Sequence, residues 1–98
     1  MITSKQRAKL RAVANTTETI GQIGKGGILD TTVRLADDAL RARELIKLRV
    51  LETCELTARE AAQQLAQRTG ADIVQVIGSR LVLFRRNPQK PKEQQIQI

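Results

Sequence analysis

The stretch ADIVQVIGSRLVLFRR at 71–86 restricts the fold more than any other part of the chain. A two-residue Gly78-Ser79 turn between apolar runs marks it as a β-hairpin. Both faces of its strands are apolar: Val74 and Val76 oppose Ile73 and Ile77, then Val82 and Phe84 oppose Leu81 and Leu83. Strands of this kind must be covered on both sides, so the hairpin is predicted to lie inside a sheet. The stretch ELIKLRVL at 44–51 alternates instead, with Ile46, Leu48 and Val50 pointing one way and Lys47 and Arg49 the other. It reads as a strand with one wet face.

Three segments carry helical signals. Thr3 and Gln6 have capping-box spacing ahead of TSKQRAKLRAVAN at 3–15, where Leu10, Val13 and Ala14 share one arc of a helical wheel. Asp30 is the expected N-cap of TTVRLADDALRAR, in which Val33, Ala36 and Leu40 recur at helical spacing. Thr57 and Glu60 form a second capping box, opening a helix that Gly70 closes. ETIGQI at 18–23 is a short strand candidate running into a glycine-rich loop. After Arg86, NPQKPKEQQIQI has two prolines, polar bulk and no periodic face, and is expected to be a disordered polar tail over 87–98. The order helix, strand, helix, strand, helix, strand, strand gives an α/β plan with a mixed sheet in a single domain over 1–86.

The formal net charge of +7 is unevenly placed. Residues 1–17 hold four basic and no acidic side chains, residues 80–98 hold five basic and one acidic, and the middle is almost neutral. Two basic ends on a neutral body point to a polyanionic partner: RNA, DNA or an anionic membrane. No apolar export segment opens the sequence, and no apolar run approaches the roughly 20 residues of a spanning helix. Cys54 is the sole cysteine and histidine is absent, which excludes an internal disulfide and leaves no metal-ligand cluster. A reducing cytoplasm is the expected location.

Residues 21–27, GQIGKGG, place four glycines and one lysine in seven positions. The phosphate-binding P-loop does not fit, because Gly26 is followed by Gly27 where lysine is required; a dinucleotide fingerprint fails at Leu29. What remains is a Gly-Lys-Gly-Gly turn between a strand and a helix, able to offer backbone N–H groups and a cation to a phosphate. The competing reading is a tight turn that needs glycine for geometry alone. In the first helix Lys5, Lys9, Arg7 and Arg11 flank the apolar arc with no interleaved acid; core packing with snorkelling cations explains part of this, and contact with a polyanion the rest.

Catalysis has little support. Without histidine, acid–base chemistry near neutral pH needs strongly shifted carboxylates or lysines, and Asp37, Asp38, Glu52 and Glu55 sit in solvated stretches. Cys54 reads as a small, idle thiol. Nor is base stacking available, since the one aromatic residue, Phe84, belongs to an apolar strand. RNA would have to be held by backbone amides, cations and shape, as in the KH domain with its G-x-x-G clamp.

With IGKGG at 23–27, ARELIKL at 42–48, VQVIG at 74–78 and LVLFRR at 81–86, the sequence resembles the CRM domain family, named for chloroplast RNA splicing and ribosome maturation, and within it the stand-alone bacterial YhbY type. The resemblance covers residues 2 to about 86. It implies three helices on a four-stranded mixed sheet, similar to the C-terminal domain of translation initiation factor 3. It also implies RNA binding through Gly24, Lys25, Gly26 and Gly27 with neighbouring basic surface, and a role on precursors of the large ribosomal subunit. Where members often carry a histidine near the end of the first helix, this chain has Asn15; where they carry a tyrosine in the last strand, it has Phe84.

The expectation is therefore a non-enzymatic, monomeric RNA-binding protein of ribosome assembly, with no cofactor, membrane or small-molecule substrate. A protein-binding adaptor held near ribosomal RNA by its basic ends is the second reading. DNA binding ranks below both, because no helix carries the Arg, Asn and Gln pattern that reads base edges.

Overall fold

Two of the three helices start where their caps dictate. In the computed structural model, which describes residues 2–98, Thr3 precedes α1 (Ser4–Ala14) and Thr57 precedes α3 (Ala58–Thr69). Each threonine hydroxyl accepts from the backbone N–H three residues on, at 3.1 Å, and the side chain of that residue, Gln6 or Glu60, accepts from the threonine N–H in return. Gly70 ends α3 in the left-handed region, at φ 75°. α2 (Asp30–Arg43) departs from expectation: Leu29, not Asp30, is its N-cap. Leucine has no side-chain acceptor, so the cap is one-sided, the Leu29 N–H donating to Thr32 Oγ1 at 3.2 Å. The Asp30 carboxylate instead pairs with Arg68 at 2.8 Å.

The strands are β1 (Thr19–Ile23), β2 (Leu45–Val50), β3 (Asp72–Ile77) and β4 (Arg80–Phe84). They form one mixed sheet in the order β1-β2-β4-β3, with β1 parallel to β2 and the other pairs antiparallel. The three helices and four-stranded mixed sheet match the α/β plan. Only half of the hairpin lies inside the sheet, however: β4 is central and β3 is an edge strand. A register shift between Ile73 and Gln75 also breaks the simple alternation of β3. Val74 packs on one side of the sheet, while Ile73 and Val76 pack on the other.

α2 and α3 cover one face, over Ile46, Leu48, Leu81 and Leu83. Ala58, Ala61 and Ala62 are buried along α3 and let that helix sit close to the sheet; Cys54 is buried beside them with a free thiol. The opposite face carries a smaller cluster in which Leu10 and Ala14 of α1 meet Leu45, Val74, Val82 and Phe84. Val13, expected on the same arc, is 37% exposed. Because Leu45 is buried by α1, the wet face of β2 begins only at Lys47.

The segment 87–98 is not the structureless tail its composition suggested. It turns through a short 3-10 helix, Lys92–Gln94, and returns to the body, where Ile96 and Ile98 pack against the cluster under α1. Glu44 holds it there. This residue caps α2 with its backbone at φ 66°, a conformation L-residues disfavour, and its side chain is fully buried. Its carboxylate accepts from the N–H groups of Asn87 at 2.7 Å and Ile96 at 2.8 Å, and both of its oxygens accept from Arg86 Nη1, at 3.0 and 3.2 Å. Arg86 in turn donates to the Ile96 carbonyl. Two prolines and a run of glutamines gave no sign of this, because the acceptor lies more than 40 residues upstream.

Burial alone would push the Glu44 carboxyl up, but the Asn87 and Ile96 N–H groups and Arg86 outweigh it and hold the pKa below its ordinary value of 4.5. A depressed carboxylate pKa adds stability that is full above 4.5 and is lost as the pH falls through the folded-state value. Glu44→Gln should lose roughly 2–3 kcal/mol in urea unfolding at neutral pH, since its amide turns a donor toward N–H groups that need an acceptor. Its stability should also fall less steeply than the parent's below pH 4.5. Equal acid-side slopes in the two proteins would remove Glu44 as the cause.

Candidate nucleic-acid interface

The glycine loop leaves the end of β1 as a closed turn in which the Gly27 N–H donates to the Gly24 carbonyl at 2.9 Å. Lys25 and Gly26 are its two central residues, and both are exposed. Among the described residues Lys25 takes part in none of the ion pairs. The glycines have different reasons to be there. Gly27 sits at φ 65° and needs its freedom for the backbone; Gly24 and Gly26 do not have positive φ. A Cβ on Gly24 would meet Leu51 and Thr53 at 3.7 Å, an ordinary contact. On Gly26 it would meet Leu29 Cδ1 at 2.9 Å and Cγ at 3.3 Å, so a side chain there requires the half-exposed Leu29 to turn aside. Backbone conformation therefore requires glycine at position 27 only, and at the tip the pressure on Gly26 comes from one exposed side chain, Leu29. Beside the tip runs a cleft of about 260 Å³ between the loop and the start of α3, with Glu55 and Leu56 in its wall.

The cations of α1 divide. Lys5, Lys9 and Arg11 are exposed and, among the described residues, in no ion pair, whereas Arg7 is half-buried and its Nε donates to the Ile73 carbonyl at 3.3 Å. Through that bond Arg7 ties α1 to the edge strand. α1 lies across the opposite face of the sheet from α2 and α3, so its cations and Lys25 do not form one cluster around the loop. The basic C-terminal end is also largely engaged internally. Arg85 donates to Asp37 at 2.6 Å and to the Thr69 carbonyl, Arg86 is held by Glu44, and Lys90 donates to the Ala42 carbonyl. Arg85 beside it, with help from Arg41, keeps the Asp37 carboxyl below its usual range.

Three cations that were not singled out meet on the part of the sheet α1 leaves uncovered. Arg49 of β2 and Arg80 of β4 are direct cross-strand partners, and both border a cleft of about 450 Å³ with Thr19 and Gln22 of β1. Lys47 joins Arg80 on the side nearer α1, beside Asn15 and Gln75. The alternation of β2 did place Lys47 and Arg49 on a wet face. It could not show that Arg80 would be paired to Arg49.

A family model for the CRS1/YhbY (CRM) domain matches residues 2–85. The chain belongs to the CRM family. It is 40% identical over 85 residues to a Bacillus subtilis protein named "Probable RNA-binding protein YqeI", a match spanning 87% of this chain and 88% of YqeI. It is 34% identical over 86 residues to "Probable RNA-binding protein MJ0652" of Methanocaldococcus jannaschii, covering 86% of this chain and 63% of that one. The solution structure of SAV1595 from Staphylococcus aureus superposes with a TM-score of 0.79 at 42% identity, over 95% of this chain and 96% of that one. The family match thus covers the body through Arg85 and stops before the strapped segment that Glu44 holds.

The division of labour among the glycines of this CRM domain is testable on the protein alone. Gly27→Ala should cost roughly 1 kcal/mol in urea unfolding, because alanine is strained at positive φ. Gly26→Ala should stay within about 0.5 kcal/mol, as Leu29 can turn aside. Equal losses at both sites would mean that the whole loop is set by geometry.

Proposed function

We propose that this chain is a non-enzymatic RNA-binding protein that grips the sugar-phosphate backbone with its glycine turn and its exposed cations. The observation that carries the reading is the pairing of Lys25, exposed and in no ion pair, with Gly26, a glycine at the tip that needs no positive φ. A missing side chain next to a free cation lets a phosphate approach the main chain, where N–H groups are stronger donors to an anion than to a neutral acceptor. The names of YqeI and MJ0652 point to the same partner class. The absence of a usable aromatic fits backbone gripping rather than base stacking, since Phe84 is only 3% exposed and lies under α1. The target implied by the family resemblance is precursor RNA of the large ribosomal subunit, bound by a monomer in the cytoplasm. An adaptor role draws no comparable support: the large apolar residues exposed among the described residues are four, Val13 on α1, Ile77 at the end of β3, and Leu29 and Leu35 at α2, spread over three elements.

Glu55 in the wall of the neighbouring cleft opposes an anion there, which favours phosphate contact from the outer side of the turn. Lys25→Ala should weaken RNA binding and make the plot of log affinity against log salt shallower by about one unit, as expected for one lost phosphate contact. Gly26→Asp should weaken it further, adding both a side chain and a negative charge at the point of approach. Both variants should unfold within about 0.5 kcal/mol of the parent. A folded Gly26→Asp protein with parental RNA affinity would refute the clamp.

A further inference from the structure

The strip of sheet between α1 and the outer edge of β1 carries Arg49 and Arg80 directly opposite each other, both exposed. Like charges at that position destabilise an antiparallel pair, whose facing Cβ atoms are about 5 Å apart. Folding gains nothing from the arrangement: among the described residues neither arginine, nor Lys47 two positions earlier on the same strand, is in an ion pair. Elsewhere in this protein closely placed cations do have acids, as Arg85 has Asp37 and Arg86 has Glu44. The cleft they border is shallow and polar, walled by Thr19 and Gln22, and so is shaped for an extended anion. It also adjoins the glycine turn. Gln22, the register partner of Arg49, is separated from Gly24 only by Ile23.

We propose that this uncovered strip is a second seat for the RNA backbone, with Arg49 and Arg80 each holding a phosphate and Lys47 extending the track toward α1. The proposal rests on the reading of the protein as RNA-binding, but not on the glycine turn being its clamp. Planar guanidinium groups suit phosphate because they can donate two parallel hydrogen bonds. A strand of RNA leaving the turn would reach Arg49 without crossing any helix, since α1 packs on the β2, β4 and β3 residues further along the sheet.

The test is a salt titration of binding to a labelled RNA stem–loop with a single-stranded flank, run beside urea unfolding. The double variant Arg49→Gln/Arg80→Gln should bind more weakly, with a slope shallower by about 1.4 to 1.8 units, the value for two lost phosphates. It should be as stable as the parent or more so, because a repulsive pair has been removed. Gln22→Glu leaves both arginines in place and puts a carboxylate beside them; it too should weaken binding. Lysine at both positions should restore most of the slope. Parental affinity and slope in both the double variant and Gln22→Glu would overturn the proposal. If Lys25→Ala binds normally while the arginine variant does not, the clamp falls and the sheet seat stands; the converse removes the seat and keeps the clamp.

Discussion

Burial of both faces of β4 is the requirement around which the other elements are arranged. Leu81 and Leu83 point toward α2 and α3, Val82 and Phe84 toward α1, and all four are at most 3% exposed. A strand with no wet face can only be central, and each of its sides needs a layer. The two layers are unequal. α2 and α3 together roof one side, while α1 contributes only Leu10 and Ala14 as buried residues on the other. That small roof covers the end of the sheet at Leu45, Val74 and Phe84 and leaves the end at Arg49 and Arg80 bare. The charged strip is thus a by-product of how little helix the second face receives.

Glu44 resolves a different difficulty, the passage from α2 into β2. The chain reverses there in a single residue, at a positive φ that glycine would adopt without strain. Glutamate is tolerated because its backbone is fixed from both sides, its N–H donating to the Leu40 carbonyl and its carbonyl accepting from the Arg85 N–H, each at 2.8 Å. Its carboxylate is then the one fully buried charge among the described residues and is matched by four hydrogen bonds. A buried charge is costly unless it is paired and hydrogen-bonded, and breaking its set leaves it uncompensated. Helix end, sheet centre and C-terminal strap are therefore coupled through one carboxyl group.

Local signals in the sequence were read correctly because their causes are local. Capping boxes join residues three apart, the Gly78-Ser79 turn joins adjacent strands, and the faces of β4 follow from a period of two. The errors have non-local causes. The irregular register in β3 sends Val76 away from Val74, and pairing order put β3 at an edge; neither is written in the hairpin itself. Asp30 looked like a cap because aspartate caps helices, but Arg68, 38 residues away in the chain, took its carboxylate. The tie between the Arg7 Nε and the backbone of an edge strand has a non-local cause as well, 66 residues along the chain. At the candidate site, the glycine loop and the α1 cations were legible as residue types in a pattern. The Arg49–Arg80 pair was not, since it exists only once β2 and β4 are set in register.

The net charge of +7 suggested two basic ends on a neutral body, and the structure redistributes it. At the C-terminal end Arg85 and Arg86 are neutralised by acids from the middle of the chain, and Lys90 is held by a helix carbonyl. Removing those acids from the balance of the middle frees its cations: Lys25, Lys47 and Arg49 stand without partners among the described residues. The positive field facing solvent therefore includes α1 at the N-terminal end, the glycine turn and the bare strip, while most cations after Arg80 are engaged internally. Screening limits such a field to about 8–10 Å at ordinary ionic strength, so groups on opposite sides of the sheet act on different parts of a bound polyanion. A single phosphate could use only one of them. A long, flexible polyanion can use all three, and that is why their separation favours a nucleic acid over a small anionic ligand.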